Sequence, residues 1–412
     1  MFHVQTVSGP IAPDALGHSQ IHEHIFVHRT PMAEKNPALR LDDPARSLEE
    51  LRAYRAAGGG FLADAQPVAA GRDAERLGAL SRESSVAVAA STGYHLLGFY
   101  PADCWVHSLD EEGLYDLYCG ELLEGMLPWR PEPDRRPAQP TAFRAGLVKA
   151  AIPAEGAEGR YAVLLRAAAR AAVCCGVPLM LHTERGENTL PALELCFRAG
   201  LTPERLIVCH VDRQAADFGP HDAIAATGVY LDYDTIGRFK YHSDEEEVAL
   251  LRHMCERGYT QRLLLSLDTT AQRMAAYGGE ISLCYLLERF LPRLEAAGFP
   301  PGTLADFTVL NCRRLFAGFD RFLLRGQLGL HLRVVLADVA STHLREHFQA
   351  ALHLGHAPRK RAGRLARLGD YGHVQVRDAV VGRELHAFRV DHDEAHLGRR
   401  GAHEDGHDHG VD

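Results

Sequence analysis

Ile21-His22-Glu23-His24-Ile25-Phe26-Val27 is an apolar run interrupted by two histidines two positions apart. On an extended chain, side chains at that spacing leave the same face. Both imidazoles therefore project together, as a metal held at the mouth of a strand requires. A pair of polar residues capping a strand explains His-x-His equally well, so the decision comes from the rest of the chain. Short apolar segments recur after the first, and strands are predicted over 20–26, 60–65, 86–92, 146–151, 177–182, 205–210, 228–233 and 263–268. Between most of them lie stretches rich in Ala, Leu and Arg that are long enough for helices, such as 160–175 and 189–199. Strand followed by helix, repeated eight times, is the pattern of an α/β chain folded as a (β/α)8 TIM barrel, with a doubly wound open sheet as the rival. His24, Asp64, Lys149, His182, His210, Asp234 and Asp268 all fall at or just past the C-terminal ends of these strands. A closed barrel brings such residues to one rim, whereas an open sheet spreads them along its edge. The barrel is the expected fold.

Composition narrows the function. The 412 residues carry a formal net charge of -9 and no basic footprint, which argues against nucleic acid as a partner. The first residues show no signal peptide, and no apolar run is long enough to span a membrane. Nine cysteines fit neither a zinc knuckle nor a disulfide framework, so reduced thiols in a cytoplasmic protein are expected. The expected partner is a small-molecule substrate, with a homodimer left open. Two segments are expected: a hydrolase barrel over 1–318 and a C-terminal extension over 319–412. Of the 24 histidines, 12 follow Phe316, where apolar periodicity fades apart from a helix candidate near 334–354. That extension reads as a partly disordered, His- and Arg-rich tail; metal binding by the tail and out-of-frame translation are alternative readings.

Four further residues join the histidine pair. Lys149 sits inside the apolar run Ala145-Gly-Leu-Val-Lys-Ala-Ala-Ile152, where an unpaired lysine is costly. Its carbamate, formed with CO2, is an anion able to bridge two cations; a lysine snorkelling to the strand end is the plainer reading. His182, His210 and Asp268 each close an apolar strand. Singly, each histidine reads as a hydrogen-bonded core residue. Jointly, imidazoles and carboxylates in this number suit two divalent ions, zinc first, with manganese, iron or cobalt as alternatives.

The order of these motifs resembles the phosphotriesterase-like branch of the amidohydrolase superfamily over residues 3–316. The resemblance includes an opening segment from Val4 to Gly17 and a closing Asn311-Cys-Arg-Arg-Leu-Phe316. It implies His22, His24 and Asp268 on the more buried metal, His182 and His210 on the more exposed one, and carboxylated Lys149 bridging both. It also implies attack by a bridging hydroxide, with Asp268 as the catalytic proton acceptor. After strands seven and eight come Lys240-Tyr241 and Arg273-Met-Ala-Ala-Tyr277. Loops there often hold phosphate, and if the second stretch is helical, Arg273 and Tyr277 share a face; solvated surface residues are the plainer reading. Together with Thr92-Gly-Tyr94-His95, Phe99-Tyr-Pro101 and Trp105, these segments are similar to the subgroup that hydrolyses phosphorylated furanose lactones. The likeness implies Lys240, Arg273 and Tyr277 on the phosphate, with Tyr94, His95 and Arg238 in the substrate pocket. An organophosphate triesterase or N-acyl-homoserine lactonase would use the same metals with apolar loops. A one-metal deaminase would not need Lys149. A degenerate metal-binding protein is the alternative outside enzymology.

Overall fold

The computed structural model describes residues 3–130 and 139–317. The extension over 319–412, its helix candidate and its tail lie outside the described residues. An antiparallel pair, β1 (Val4–Thr6) and β2 (Gly9–Ile11), precedes the main sheet. Eight parallel strands follow: β3 (His18–Glu23), β4 (Gly59–Asp64), β5 (Ala87–Gly93), β6 (Leu147–Ala151), β7 (Leu179–His182), β8 (Leu206–Cys209), β9 (Tyr230–Tyr233) and β10 (Leu263–Leu265). They pair in strict sequence order from β3 to β10, as a barrel requires and an open doubly wound sheet does not. The described residues form a (β/α)8 barrel.

Side chains do part of the work of closure between β10 and β3. The Ser266 hydroxyl oxygen accepts from the backbone N–H of Ile21 at 2.8 Å and of His22 at 3.1 Å. The backbone N–H of Asp268 donates to the His22 carbonyl at 3.0 Å. Glu23 reaches across from β3 and accepts from the backbone N–H groups of Leu267 and Thr269. The eighth strand is shorter than the predicted 263–268: beyond Leu265, bonds through the Ser266 and Glu23 side chains mix with isolated backbone bonds such as Asp268 N–H to the His22 carbonyl.

Alternation along the strands explains why the rim is polar. Leu147, Met180, Ile207 and Leu264 belong to one buried cluster, whereas their neighbours Val148, Leu181, Val208 and Leu265 pack in the other, among helix residues such as Leu164 and Leu165. Two positions beyond the first set, on the same inward face, stand Lys149, His182, Cys209 and Ser266. Phe316, from the helix Asn311–Phe316, joins the inner cluster and meets Phe61 edge-on at 5.3 Å. Three of these four inward faces therefore carry apolar residues in the barrel interior and a polar residue, Lys149, His182 or Ser266, at the C-terminal end, while Cys209 stays with the apolar cluster. Gly93 shows how tightly the rim is built: at φ 101° its backbone lies so close to Lys149 that a Cβ would fall 1.9 Å from the Lys149 carbonyl oxygen. Among the described residues no helix is long and apolar enough to cross a membrane, and all nine cysteines are free.

Candidate metal centre

Five strands deliver the predicted ligands to one place. His22 lies within β3 and His24 just past it, Lys149 on β6, His182 at the end of β7, and His210 and Asp268 just beyond β8 and β10. Lys149 Nζ stands 3.0 Å from His22 Nε2. His210 Nε2 lies 2.8 Å from His182 Nδ1. Asp268 Oδ1 is 3.4 Å from His24 Nε2 and 3.8 Å from His22 Nε2. His22, His210 and Asp268 offer ligand atoms all within 4.8 Å of one another. All six residues are buried. Two of them adopt the left-handed backbone that side chains disfavour, His210 at φ 68° and Asp268 at φ 47°. Such local strain persists where surrounding structure over-determines it, and it clusters at functional sites.

The electrostatics suit cation ligation. Burial pushes the pKa of His22, His182 and His210 well below the ordinary imidazole range, which favours neutral rings with free lone pairs. Burial also lowers the Lys149 pKa, toward the neutral amine that reacts with CO2. Burial works against an ionised Asp268, yet Arg238 and the His24 ring hold its carboxyl well below the usual carboxylate range. Its two oxygens are divided: Oδ1 faces the imidazoles, while Oδ2 lies 2.9 Å from Arg238 Nη1.

Asp234, just past β9, orients two of the rings. Its Oδ2 is 2.8 Å from His22 Nδ1 and its Oδ1 2.6 Å from His210 Nδ1. Burial and the nearby carboxylates raise the Asp234 pKa; in its ionised form the carboxylate only accepts, and the bridge then puts the proton of each ring on Nδ1 and leaves each Nε2 lone pair for the centre. Convergent lone pairs in a buried site are costly without a cation between them. The residues present thus fit a metal centre. The sequence placed Asp234 at a strand end, but nothing in its spacing named its partners.

A cavity of about 370 Å³ opens over these residues. Lys240, Arg238, Arg273 and His95 line it, as expected of phosphate and pocket residues. His95 stacks on Phe99 with ring centroids 3.8 Å apart. The Arg273 guanidinium is largely committed: it donates to the carbonyl oxygens of Leu267 and, at 2.6 Å, of Ile236.

Two expectations need correction. Tyr277 does not line the cavity; its hydroxyl donates to the Asp43 carbonyl at 2.7 Å and lies 2.8 Å from Ser47 Oγ. The stretch is a turn followed by the short helix Ala275–Tyr277, so the four-residue spacing does not put Tyr277 on the Arg273 face. Tyr94 is also absent from the lining and is fully buried among core residues such as Tyr100 and Tyr118. It follows Gly93, whose positive φ redirects the chain at the strand end. Sequence reasoning missed Glu184 and Arg213, which line the cavity two and three residues after the ligands His182 and His210.

A (β/α)8 barrel with histidines, a lysine and an aspartate converging at the C-terminal rim defines a metal-dependent hydrolase class. The model of the phosphotriesterase family matches residues 2–316, and the chain belongs to that family of metal-dependent hydrolases. A phospho-furanose lactonase of Mycoplasmopsis synoviae is 26% identical over 331 residues, covering 77% of this chain and 92% of that protein. An N-acetyltaurine hydrolase of Danio rerio is 25% identical over 356 residues, covering 76% and 97%. Among solved structures, an amidohydrolase from Mycoplasma synoviae superposes with a TM-score of 0.73 at 24% identity, covering 78% of this chain and 93% of that one. This last likeness supports the barrel fold.

Proposed function

We propose that the chain hydrolyses a lactone, in particular a phosphorylated furanose lactone. The observation that carries this reading is the convergence of four buried histidines and Asp268 on a cavity that Lys240 and Arg273 also line, with Lys149 beside His22. His22, His24 and Asp268 would hold one divalent cation and His182 and His210 a second, with carboxylated Lys149 shared between them. Zinc suits this set first, with manganese, iron or cobalt as alternatives. When bound, such a pair polarises an electrophilic oxygen and lowers the pKa of a nearby water.

The chain's own residues supply the rest. Asp268, held ionised by Arg238, takes the proton of the attacking water and passes it to the leaving ring oxygen. Arg238 fixes the orientation of that carboxylate through Oδ2. Lys240 and the cavity-facing part of Arg273 bind the phosphoryl group at a distance from the reacting bond. The stacked His95 and Phe99 rings form an apolar wall for the sugar ring.

The relative named as a phospho-furanose lactonase supports this choice. Organophosphates and N-acyl-homoserine lactones would call for a more apolar cavity than one lined by Arg213, Arg238, Lys240 and Arg273. The relative named as an N-acetyltaurine hydrolase favours a second reading, amide hydrolysis of a small sulfonate, since basic side chains also receive a sulfonate. A substrate panel tests the choice. Metal-reconstituted protein is assayed by acid release, with a pH indicator, on furanose lactones with and without a 5-phosphate, and by amine release on N-acetyltaurine. Preference for the phosphorylated lactone is expected; preference for N-acetyltaurine, or equal activity on the dephosphorylated lactone, would overturn it.

A further inference from the structure

Glu184 and Arg213 line the cavity beside the ligands, and the reaction as proposed gives them no task. Arg213 lies in the short helix Val211–Gln214, directly after His210. Its Nη1 donates to the Glu184 carbonyl oxygen at 3.2 Å and faces Glu184 Oε2 at 3.4 Å. Its Nη2 stands 3.7 Å from Asp268 Oδ2, and the guanidinium carbon sits 5.3 Å from the centroid of the Tyr241 ring. The guanidinium is thus held from three directions, with its side chain only 9% exposed.

Glu184 is the more open partner, with its side chain 39% exposed and Oε1 3.4 Å from His182 Nε2. Its carboxylate keeps unused lone pairs beside a fixed array of N–H donors. A phosphoryl group asks only for donors, and an acyl chain asks for neither donor nor acceptor. A hydroxyl both donates and accepts, so an adjacent carboxylate and guanidinium satisfy it together. The position matters as well, because Arg213 also reaches toward Asp268, the residue assigned to the proton transfer. A ring hydroxyl bound here would lie close to the reacting bond.

We propose that Glu184 and Arg213 form a subsite for a ring hydroxyl of a sugar lactone, with Glu184 accepting from the hydroxyl and Arg213 donating to it. This rests on the lactone reading and adds a specificity rule to it: the preferred substrate carries a ring hydroxyl near the reacting carbonyl. A site built to hydrogen-bond a hydroxyl rejects the analogue lacking it, and the exposure of Glu184 places the preference at roughly 10–100-fold.

The test compares kcat/KM for a 5-phosphorylated furanose lactone with its 2-deoxy and 3-deoxy counterparts. It uses the wild-type protein and the variants Glu184→Gln, Arg213→Met and Arg213→Lys. The wild-type protein should prefer the hydroxylated lactone over at least one deoxy form by roughly tenfold or more. Glu184→Gln and Arg213→Met should erase that ratio, chiefly by raising KM on the hydroxylated lactone, and Arg213→Lys should restore part of it. A purely structural role would lower kcat/KM on all three lactones alike and leave the ratio intact; that result overturns the subsite, as does a wild-type protein with no preference. A wild-type protein inactive on every lactone would remove the lactone reading itself, and the subsite with it.

Discussion

His22 Nδ1 and Asp234 Oδ2 stand 2.8 Å apart in a fully buried pair that ties the first barrel strand to the end of the seventh. The other oxygen of the same carboxylate holds His210. One side chain therefore orients one ring from each of the two proposed cation positions. Asp234→Asn keeps the shape but supplies a single acceptor oxygen for two N–H donors. Metal affinity is expected to fall about 10–100-fold, measured by competition against a chelator. Unchanged retention of both ions would show that the bridge is packing only.

Asp268→Asn tests the proton transfer. The amide keeps an oxygen near His24 but cannot take a proton. Turnover should drop by about 10²–10⁴, read as kcat on metal-replete protein. Near-normal hydrolysis would contradict the assignment.

Lys240 lines the cavity and its Nζ lies 4.6 Å from the centroid of the Tyr241 ring, so it is the least encumbered of the phosphate candidates. Lys240→Ala should raise KM for the phosphorylated lactone by roughly tenfold or more, the cost of one charged hydrogen bond, and leave the dephosphorylated lactone unaffected. Arg273→Ala is a less selective variant, because the guanidinium also ties the Leu267 and Ile236 carbonyls in place. Thermal stability should fall together with activity in that case, and Tm would separate the two effects.

His242 governs a pH dependence of stability through Thr235 and Asp212. Its Nδ1 faces the Ser243 carbonyl at 3.1 Å and its Nε2 faces Thr235 Oγ1 at 3.0 Å. The Thr235 hydroxyl donates in turn to Asp212 Oδ2 at 2.7 Å. Both ring nitrogens thus meet acceptors, and the ring holds both protons. Burial opposes that charge, but Asp212 and Glu247 outweigh it and the pKa rises to about 9. The unfolded value is about 6.5, so the folded state binds this proton more tightly. The resulting stabilisation is complete below about pH 6.5 and drains as pH climbs through about 9. The Tm deficit of His242→Gln relative to wild type should therefore be larger near pH 6 than near pH 10. An equal deficit at both would contradict the ion-pair account.

Much of this architecture is legible in the bare chain because alternation is a local rule. Once Lys149, His182 and Asp268 are seen to close or interrupt apolar runs, the inward face and the rim follow. Strand ends are harder. Ser266 pairs with β3 through its hydroxyl, and His210 and Asp268 leave the extended conformation altogether. Those are tertiary effects without a sequence period. Tyr277 was misdirected by the assumption of a regular helix after Arg273, where the chain instead turns. Asp234 is legible as a strand-end residue but not as the bridge between two rings, and Glu184 and Arg213 escaped notice: their partners come from other strands, and His182-Thr-Glu184 and His210-Val-Asp-Arg213 show only that polar residues follow a ligand.

The binuclear centre is tested most directly by anomalous diffraction from crystals of the zinc-reconstituted protein, with bound CO2 retained. Two peaks are expected, one ligated by His22, His24 and Asp268 and one by His182 and His210, with a carbamate on Lys149 touching both. A single peak, or two peaks that leave Lys149 as a free amine, would contradict it.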